Sequence, residues 1–161
     1  GPEYAESFDH FAVDYEFPNN VHVQSMARQI AGTASEVAEH FVGTKGRWDS
    51  GGYRFSDPKA SRLPRREVNA YVQEHIDLLE SITTGKPINE LKQVAESTLT
   101  AIMGRMSAFT GKEVTWDQAL NSSMDLMPPP EQLALGSIPT PPVAMPGKTP
   151  LPPPIKEGRV N

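Results

Sequence analysis

The side chains best able to do chemistry in this sequence are its four histidines and the acids beside them. Two glutamates precede a histidine by four residues, Glu6 before His10 and Glu36 before His40. That spacing places both groups on one face of a helix, but these segments have strand character. In a strand, side chains four residues apart stand about 13 Å from each other. We therefore expect neither pair to act as an acid–base couple.

Glu74 and His75 form the better candidate because they lie in the first turns of a predicted helix. The loop before that helix is rich in cations, namely Lys59, Arg62, Arg65 and Arg66. A helix N-terminus beside cations favours anionic or polyhydroxylated ligands. The alternative, that His75 only borders the apolar stripe of its helix and makes one hydrogen bond there, stays open. Residue spacing supports neither a Ser/His/Asp triad nor a catalytic carboxylate pair.

Composition excludes several classes of function. The 161 residues suit a single domain, and a net charge of −5 argues against a nucleic-acid partner, which needs a basic face. The absence of cysteine excludes disulfides and zinc–thiolate sites. No apolar run approaches the roughly 20 residues that span a bilayer, so no membrane partner is expected. No Gly-x-Gly-x-x-Gly and no phosphate-binding P-loop occurs, and the sequence predicts no cofactor or metal site of its own.

Alternating apolar residues predict an antiparallel meander in the first part of the chain. Residues 10–17 alternate, with Phe11, Val13, Tyr15 and Phe17 on one face. A turn at residues 18–20 leads into a return strand over 21–30. A third strand is predicted over 36–42, and shorter strands follow at 47–49 and 53–55.

Helical periodicity begins at residue 69. A first helix over 69–84 is predicted to be capped by Asn69 and ended by Gly85. A second should run from a cap at Asn89 to Gly111, and a short third should open with a capping box at Thr115. The second helix has a predicted buried stripe of Leu91, Val94, Thr98, Ile102, Met106 and Phe109.

This order of elements predicts an α+β fold, with an open, mainly antiparallel sheet and helices packed on one face. Eleven of the sixteen prolines fall within 128–154. We therefore predict a globular domain over 1–127 and an extended Pro-rich tail over 128–161. The Pro139-x-x-Pro142 spacing is also typical of ligands for proline-reading domains. The apolar residues of the tail favour packing against its own domain or a neighbouring subunit.

Several stretches together resemble the Gfo/Idh/MocA oxidoreductases, although each one alone is weak. The resemblance covers nearly the whole chain, and its Pro-rich ending resembles that of a bacterial branch of the family. The matching stretches are the hairpin over 8–28, the turn over 42–46, Tyr71-Val72-Gln73-Glu74-His75-Ile76-Asp77-Leu78-Leu79, Thr84-Gly85-Lys86-Pro87-Ile88-Asn89, and residues 95–112 and 138–149.

The resemblance implies part of an enzyme, namely its C-terminal substrate-side and oligomerisation domain. Such enzymes bind NAD or NADP in an N-terminal Rossmann domain and transfer hydride to or from a sugar or polyol. The family's Glu-Lys-Pro tripeptide is absent here, and Asp9-His10 does not supply its Asp-x-x-x-His motif. We therefore expect the chain to hold no catalytic residue, to bind no cofactor and to be inactive alone. Tyr71 and His75 are the expected substrate-binding residues.

The expected partners are the missing Rossmann domain and a second copy of the chain across the open sheet face. The parent would be bacterial, cytoplasmic or exported, according to the absent N-terminus. Two alternatives stay open. The chain could be a non-catalytic oligomerisation or interaction module that uses the sheet face and the Pro-rich tail. It could also be a stand-alone sugar-binding domain.

Overall fold

The computed structural model describes residues 6–50, 54–56, 69–133, 136 and 141–156. The chain divides into a first unit, Gly1–Ala31 with Glu90–Asn161, and a second unit, Gly32–Asn89. The strands are β1 (His10–Phe17), β2 (Val21–Arg28), β3 (His40–Gly43), β4 (Gly46–Asp49) and β5 (Arg54–Phe55). The helices are α1 (Ala70–Thr84), α2 (Leu91–Thr110), α3 (Trp116–Leu120) and a 3-10 turn (Pro130–Gln132).

Strands β1 and β2 of the first unit form an antiparallel hairpin, as predicted. Asn19 and Asn20 turn the chain between them, with φ of 64° and 57°, a left-handed conformation that asparagine tolerates better than most residues. Phe11, Val13 and Tyr15 of β1 are half-buried and the residues between them are exposed. The predicted alternation is therefore confirmed over these residues.

The hairpin packs against α2 at a glycine in the middle of that helix. The ring of Tyr15 lies over Gly104, and a Cβ atom at residue 104 would lie 2.9 Å from the Tyr15 Cζ atom. The Tyr15 hydroxyl donates to the carbonyl oxygen of Thr100 at 3.1 Å, and burial raises the pKa of the Tyr15 phenol. Gly104 therefore lets β1 approach the helix backbone closely.

Aromatic rings extend this contact towards the end of α2. Phe109 lies 4.6 Å from Phe8 and 6.1 Å from Phe11, measured between ring centroids. Met106 is only 2% exposed, and Thr110 is also buried. Leu91, predicted to share the buried stripe, is 75% exposed. The core of the first unit thus lies on the C-terminal half of α2.

Most helices begin and end at the residues that the local sequence predicted. The Asn69 side chain accepts a hydrogen bond from the Tyr71 N–H at the start of α1, and Gly85 ends that helix with φ of 67°. Gly111 ends α2 in the same left-handed conformation, and Thr115 opens α3 with the predicted capping box. The cap of α2 is Glu90, one residue after the predicted Asn89.

The second unit contains a separate three-stranded antiparallel sheet in the order β3-β4-β5. Its first strand begins at His40, four residues later than predicted, because residues 34–39 have no regular structure. Helix α1 has no buried residue, and no described strand or helix of this unit packs against it. The predicted α+β class with open antiparallel sheets is confirmed, although the strands form two sheets and not one.

An extended conformation over the whole of 128–161 is not confirmed. The chain forms the 3-10 turn at Pro130–Gln132, and it turns again at Gly147, where φ is 81°. Residues 137–140, which include Pro139 of the Pro-x-x-Pro spacing, lie outside the described residues.

Replacing Gly104 by alanine should destabilise the first unit. Overpacking against Tyr15 costs about 1–3 kcal/mol, and the better helix propensity of alanine returns only about 1 kcal/mol. We expect a net loss of free energy of unfolding in urea titrations followed by circular dichroism. Thr98→Ala, at an exposed position of the same helix, is the control and should be neutral or slightly stabilising. Equal effects of the two variants would contradict the close packing of Tyr15.

Candidate binding groove

An open groove of about 870 Å³ runs along the C-terminal half of α2 in the first unit. One wall is the helix itself, with Met106 and Phe109, and the other is built from the Pro-rich segment. Ligand sites in proteins commonly have volumes of about 300–1,000 Å³ and mainly apolar walls. The segment contributes Pro128, Pro142, Pro150 and Pro152 to this lining, and the residues just before it contribute Met124 and Met127.

Three backbone hydrogen bonds hold the outer wall in place. The Gly147 N–H donates to the carbonyl oxygen of Thr110, the last residue of α2, at 2.8 Å. Farther along, the Ser123 N–H donates to Pro153 at 2.9 Å and the Ile155 N–H donates to Asn121 at 2.7 Å. These bonds clamp residues 147–155 to the end of α2 and to the residues that follow α3.

Gly111 is required where the segment returns to the helix end. Its φ is 68°, and a Cβ atom there would lie 2.9 Å from the Gly147 nitrogen and 3.0 Å from the Pro146 Cβ atom. Any other residue at this position would therefore meet backbone strain and push on the clamp.

Arg105 is the only cation among the described residues that line the groove. Its guanidinium carbon lies 4.1 Å from the centroid of the Phe109 ring, a cation–π arrangement that fixes the position of the charge. Within the part of the chain that the structure describes, the guanidinium has no ion pair and no hydrogen bond. Among the described residues, its N–H donors have no acceptor that would compete with a ligand.

The other polar side chains of the groove are the amide of Gln132, two acids and two hydroxyls that are already hydrogen-bonded. The Thr110 hydroxyl donates to the Met106 carbonyl at 2.7 Å, and the Thr149 hydroxyl accepts from the Met145 N–H at 2.7 Å. One oxygen of Asp125 accepts from the Met127 N–H at 2.9 Å. Glu6 is the second acid of the lining.

The sequence-predicted residues Tyr71 and His75 lie elsewhere, one turn apart on α1 in the second unit, and both are exposed. The His75 Nδ1 atom lies 2.6 Å from the Tyr71 carbonyl oxygen. Since a carbonyl only accepts, Nδ1 carries the proton and Nε2 is left as an acceptor when the ring is neutral. Glu74 lies 3.7 Å from the same Nδ1 atom. The role of Tyr71 and His75 in binding substrate stays a prediction, and the cation-rich loop before α1 lies outside the described residues.

The remaining histidines pair with aspartates and not with the glutamates at four-residue spacing. His22 lies 2.8 Å from Asp14 and His40 lies 2.9 Å from Asp49, both across strand pairs. His10 lies 2.7 Å from Asp9, and this hydrogen bond lowers the pKa of Asp9. All these pairs are exposed, where such contacts contribute little. No group of three or more potential metal ligands occurs among the described residues.

Sequence reasoning missed Arg105 as a candidate binding residue. The available signal was a cation four residues before Phe109, which places the two side chains on one face of α2. Comparison of the chain with family models, curated proteins and solved structures finds no match. Where the structure describes the chain, no helix combines the length and apolar character needed to cross a membrane.

A Gly111→Ala variant should release the clamped segment. Left-handed strain costs about 1–2 kcal/mol at such a position, and the clash with Gly147 adds to it. We expect faster tryptic cleavage after Lys148, followed by mass spectrometry. Gly85→Ala is a matched control, because Gly85 has nearly the same φ but nothing within 4 Å of its Cβ position. Cleavage after Lys148 at the wild-type rate in Gly111→Ala would show that the clamp does not depend on this glycine.

Proposed function

We propose that this chain is the C-terminal substrate-side and assembly domain of a Gfo/Idh/MocA-type oxidoreductase that acts on sugars or polyols and is inactive alone. The family resemblance supplies the reaction class. In this proposal the chain forms one wall of the substrate cleft, and NAD or NADP binds to a separate Rossmann domain.

The observation that carries the proposal is the uncovered apolar stripe of α1. Ile76 is 48% exposed, and its neighbours on the same helix face, Val72 and Leu79, are more exposed still. An amphipathic helix is normally stabilised by burying such a stripe. A neighbouring domain that covers α1 would provide this burial, and it would lie beside Tyr71 and His75.

The described residues do not fit a bound dinucleotide. Pyrophosphate binding uses a glycine-rich turn that opens a helix. Asn69, Glu90 and Thr115 cap the three described α-helices, and no Gly-x-Gly-x-x-Gly precedes them. We therefore assign no nicotinamide chemistry to residues of this chain.

Within the proposed cleft, His75 has a defined chemical role. Its Nδ1–H is committed to the Tyr71 carbonyl oxygen, so the neutral ring offers Nε2 to a substrate hydroxyl. The Tyr71 hydroxyl can both donate and accept. Together they would orient a polyol by hydrogen bonds, without entering the reaction.

Turnover assays test the enzymatic proposal. The purified chain, given NAD or NADP and a panel of sugars and polyols, should show no saturable turnover. The reading frame upstream of Gly1 should encode a strand, a Gly-x-Gly-x-x-Gly turn and a helix. In that longer protein, His75→Gln should raise the KM for the sugar about ten-fold by loss of a hydrogen bond, with the KM for the nicotinamide unchanged. Turnover by the isolated chain, or a frame without that turn, would refute the proposal.

The second candidate is a non-catalytic assembly module, and the hairpin of β1 and β2 favours it. The two strands form a sheet of their own among the described residues, and no described strand or helix packs on the face turned away from α2. The hairpin face away from α2 is polar apart from Ala12 and Met26, and Met26 is 74% exposed. A second copy seated on this face would bury Met26 beneath a polar rim.

Sedimentation velocity distinguishes this assembly from a monomer. If the sheet face joins two copies, Met26→Asp should shift the chain towards monomer by placing a charge in the contact. Val37→Asp introduces the same charge at an irregular position that is 95% exposed, and it should leave association unchanged. A wild-type monomer at all concentrations, or equal effects of both variants, would rule out this face as the interface.

A further inference from the structure

We propose that the groove on α2 binds an amphiphilic monocarboxylate, with its carboxylate on Arg105 and its apolar body along the methionine and proline walls. This inference concerns the first unit alone and does not rest on the proposed oxidoreductase function. The site lies apart in sequence from Tyr71 and His75.

The charge of the ligand follows from Arg105. A guanidinium presents its N–H donors in a planar fork that matches two carboxylate oxygens. Phe109 holds the guanidinium through its ring face, and no described side chain uses its N–H donors. A ligand carboxylate would therefore accept the guanidinium hydrogen bonds that no described side chain accepts.

The remaining lining limits the ligand to a single negative charge. Glu6 and Asp125 also line the groove, and each would repel a second anionic group. One oxygen of Asp125 is held by the Met127 N–H, which leaves Glu6 as the less constrained acid. A dianion such as a phosphate monoester would meet more repulsion than a carboxylate does.

The apolar walls determine the rest of the ligand. Met124 and Met127 of the lining are flexible thioether side chains that adapt to chains of different shape, whereas Met106 is nearly fully buried. The prolines of the lining have no backbone N–H and so add no donor that a ligand would have to satisfy. The volume of about 870 Å³ exceeds what a carboxylate headgroup fills, so a medium-length alkyl or arylalkyl body fits.

Calorimetric titration with sodium decanoate, below its micelle concentration, tests the site on the full 161-residue chain. We expect saturable binding of one decanoate. Decanamide, which is nearly isosteric but neutral, should bind at least about ten-fold more weakly, as should decyl phosphate. Equal affinities for decanoate and decanamide would overturn the proposal, because the carboxylate would then contribute nothing.

Charge variants locate the binding site. Arg105→Gln should raise the Kd for decanoate about ten-fold or more, and Arg105→Lys should raise it less, since lysine keeps the charge but loses the fork. Glu6→Gln should lower the Kd by removing repulsion. Lys92→Gln removes one positive charge near the exposed start of α2 and should have no effect. Circular dichroism confirms the folding of each variant, and an unchanged Kd in folded Arg105→Gln would overturn the proposal.

Discussion

The close approach of Tyr15 to Gly104 is the constraint on which the first unit depends. A strand can lie this near to a helix backbone only where the helix has no side chain, and α2 provides that position at Gly104. The Tyr15 hydroxyl then reaches the Thr100 carbonyl, a group already used within the helix. Buried polar groups need such partners. Packing and hydrogen bonding therefore both fix the position of β1 along α2.

This register also sets the position of the aromatic cluster and, through it, of Arg105. Once β1 lies on α2, Phe8 and Phe11 reach Phe109, and the Phe109 ring is held from one side. Its neighbour on the helix face, Arg105, then stacks over the ring at 4.1 Å. The position of this half-buried charge in the groove lining is therefore a consequence of the hairpin packing.

Features encoded by neighbouring residues could be predicted from sequence. Asn69, Gly85, Gly111 and the Thr115 capping box each act within one helical turn, and all four were placed correctly. The turn at Asn19 and Asn20 is local in the same sense. These caps and turns are formed by residue types whose backbone preferences do not depend on the rest of the fold.

Features that depend on distant contacts could not be predicted. From sequence, Gly104 is only a residue of low helix propensity within α2. Its packing role depends on contact with Tyr15, which lies far from it in sequence. The periodicity of residues 36–42 predicted a third strand of one meander, whereas residues 34–39 are irregular and β3 pairs with β4 in a separate sheet. Arg105 could not be identified as a groove residue from sequence, because the groove forms only where the distant residues Pro142 and Pro152 lie against α2.

The two units differ in how much of their apolar surface is buried. Buried side chains concentrate where α2 meets the hairpin and α3, whereas the apolar stripe of α1 and the side chains of Phe41 and Val42 in β3 are exposed. Single exposed apolar residues are common on proteins, but a whole helix stripe is not. The first unit therefore has its own core. In the second unit, by contrast, α1 has no buried residue.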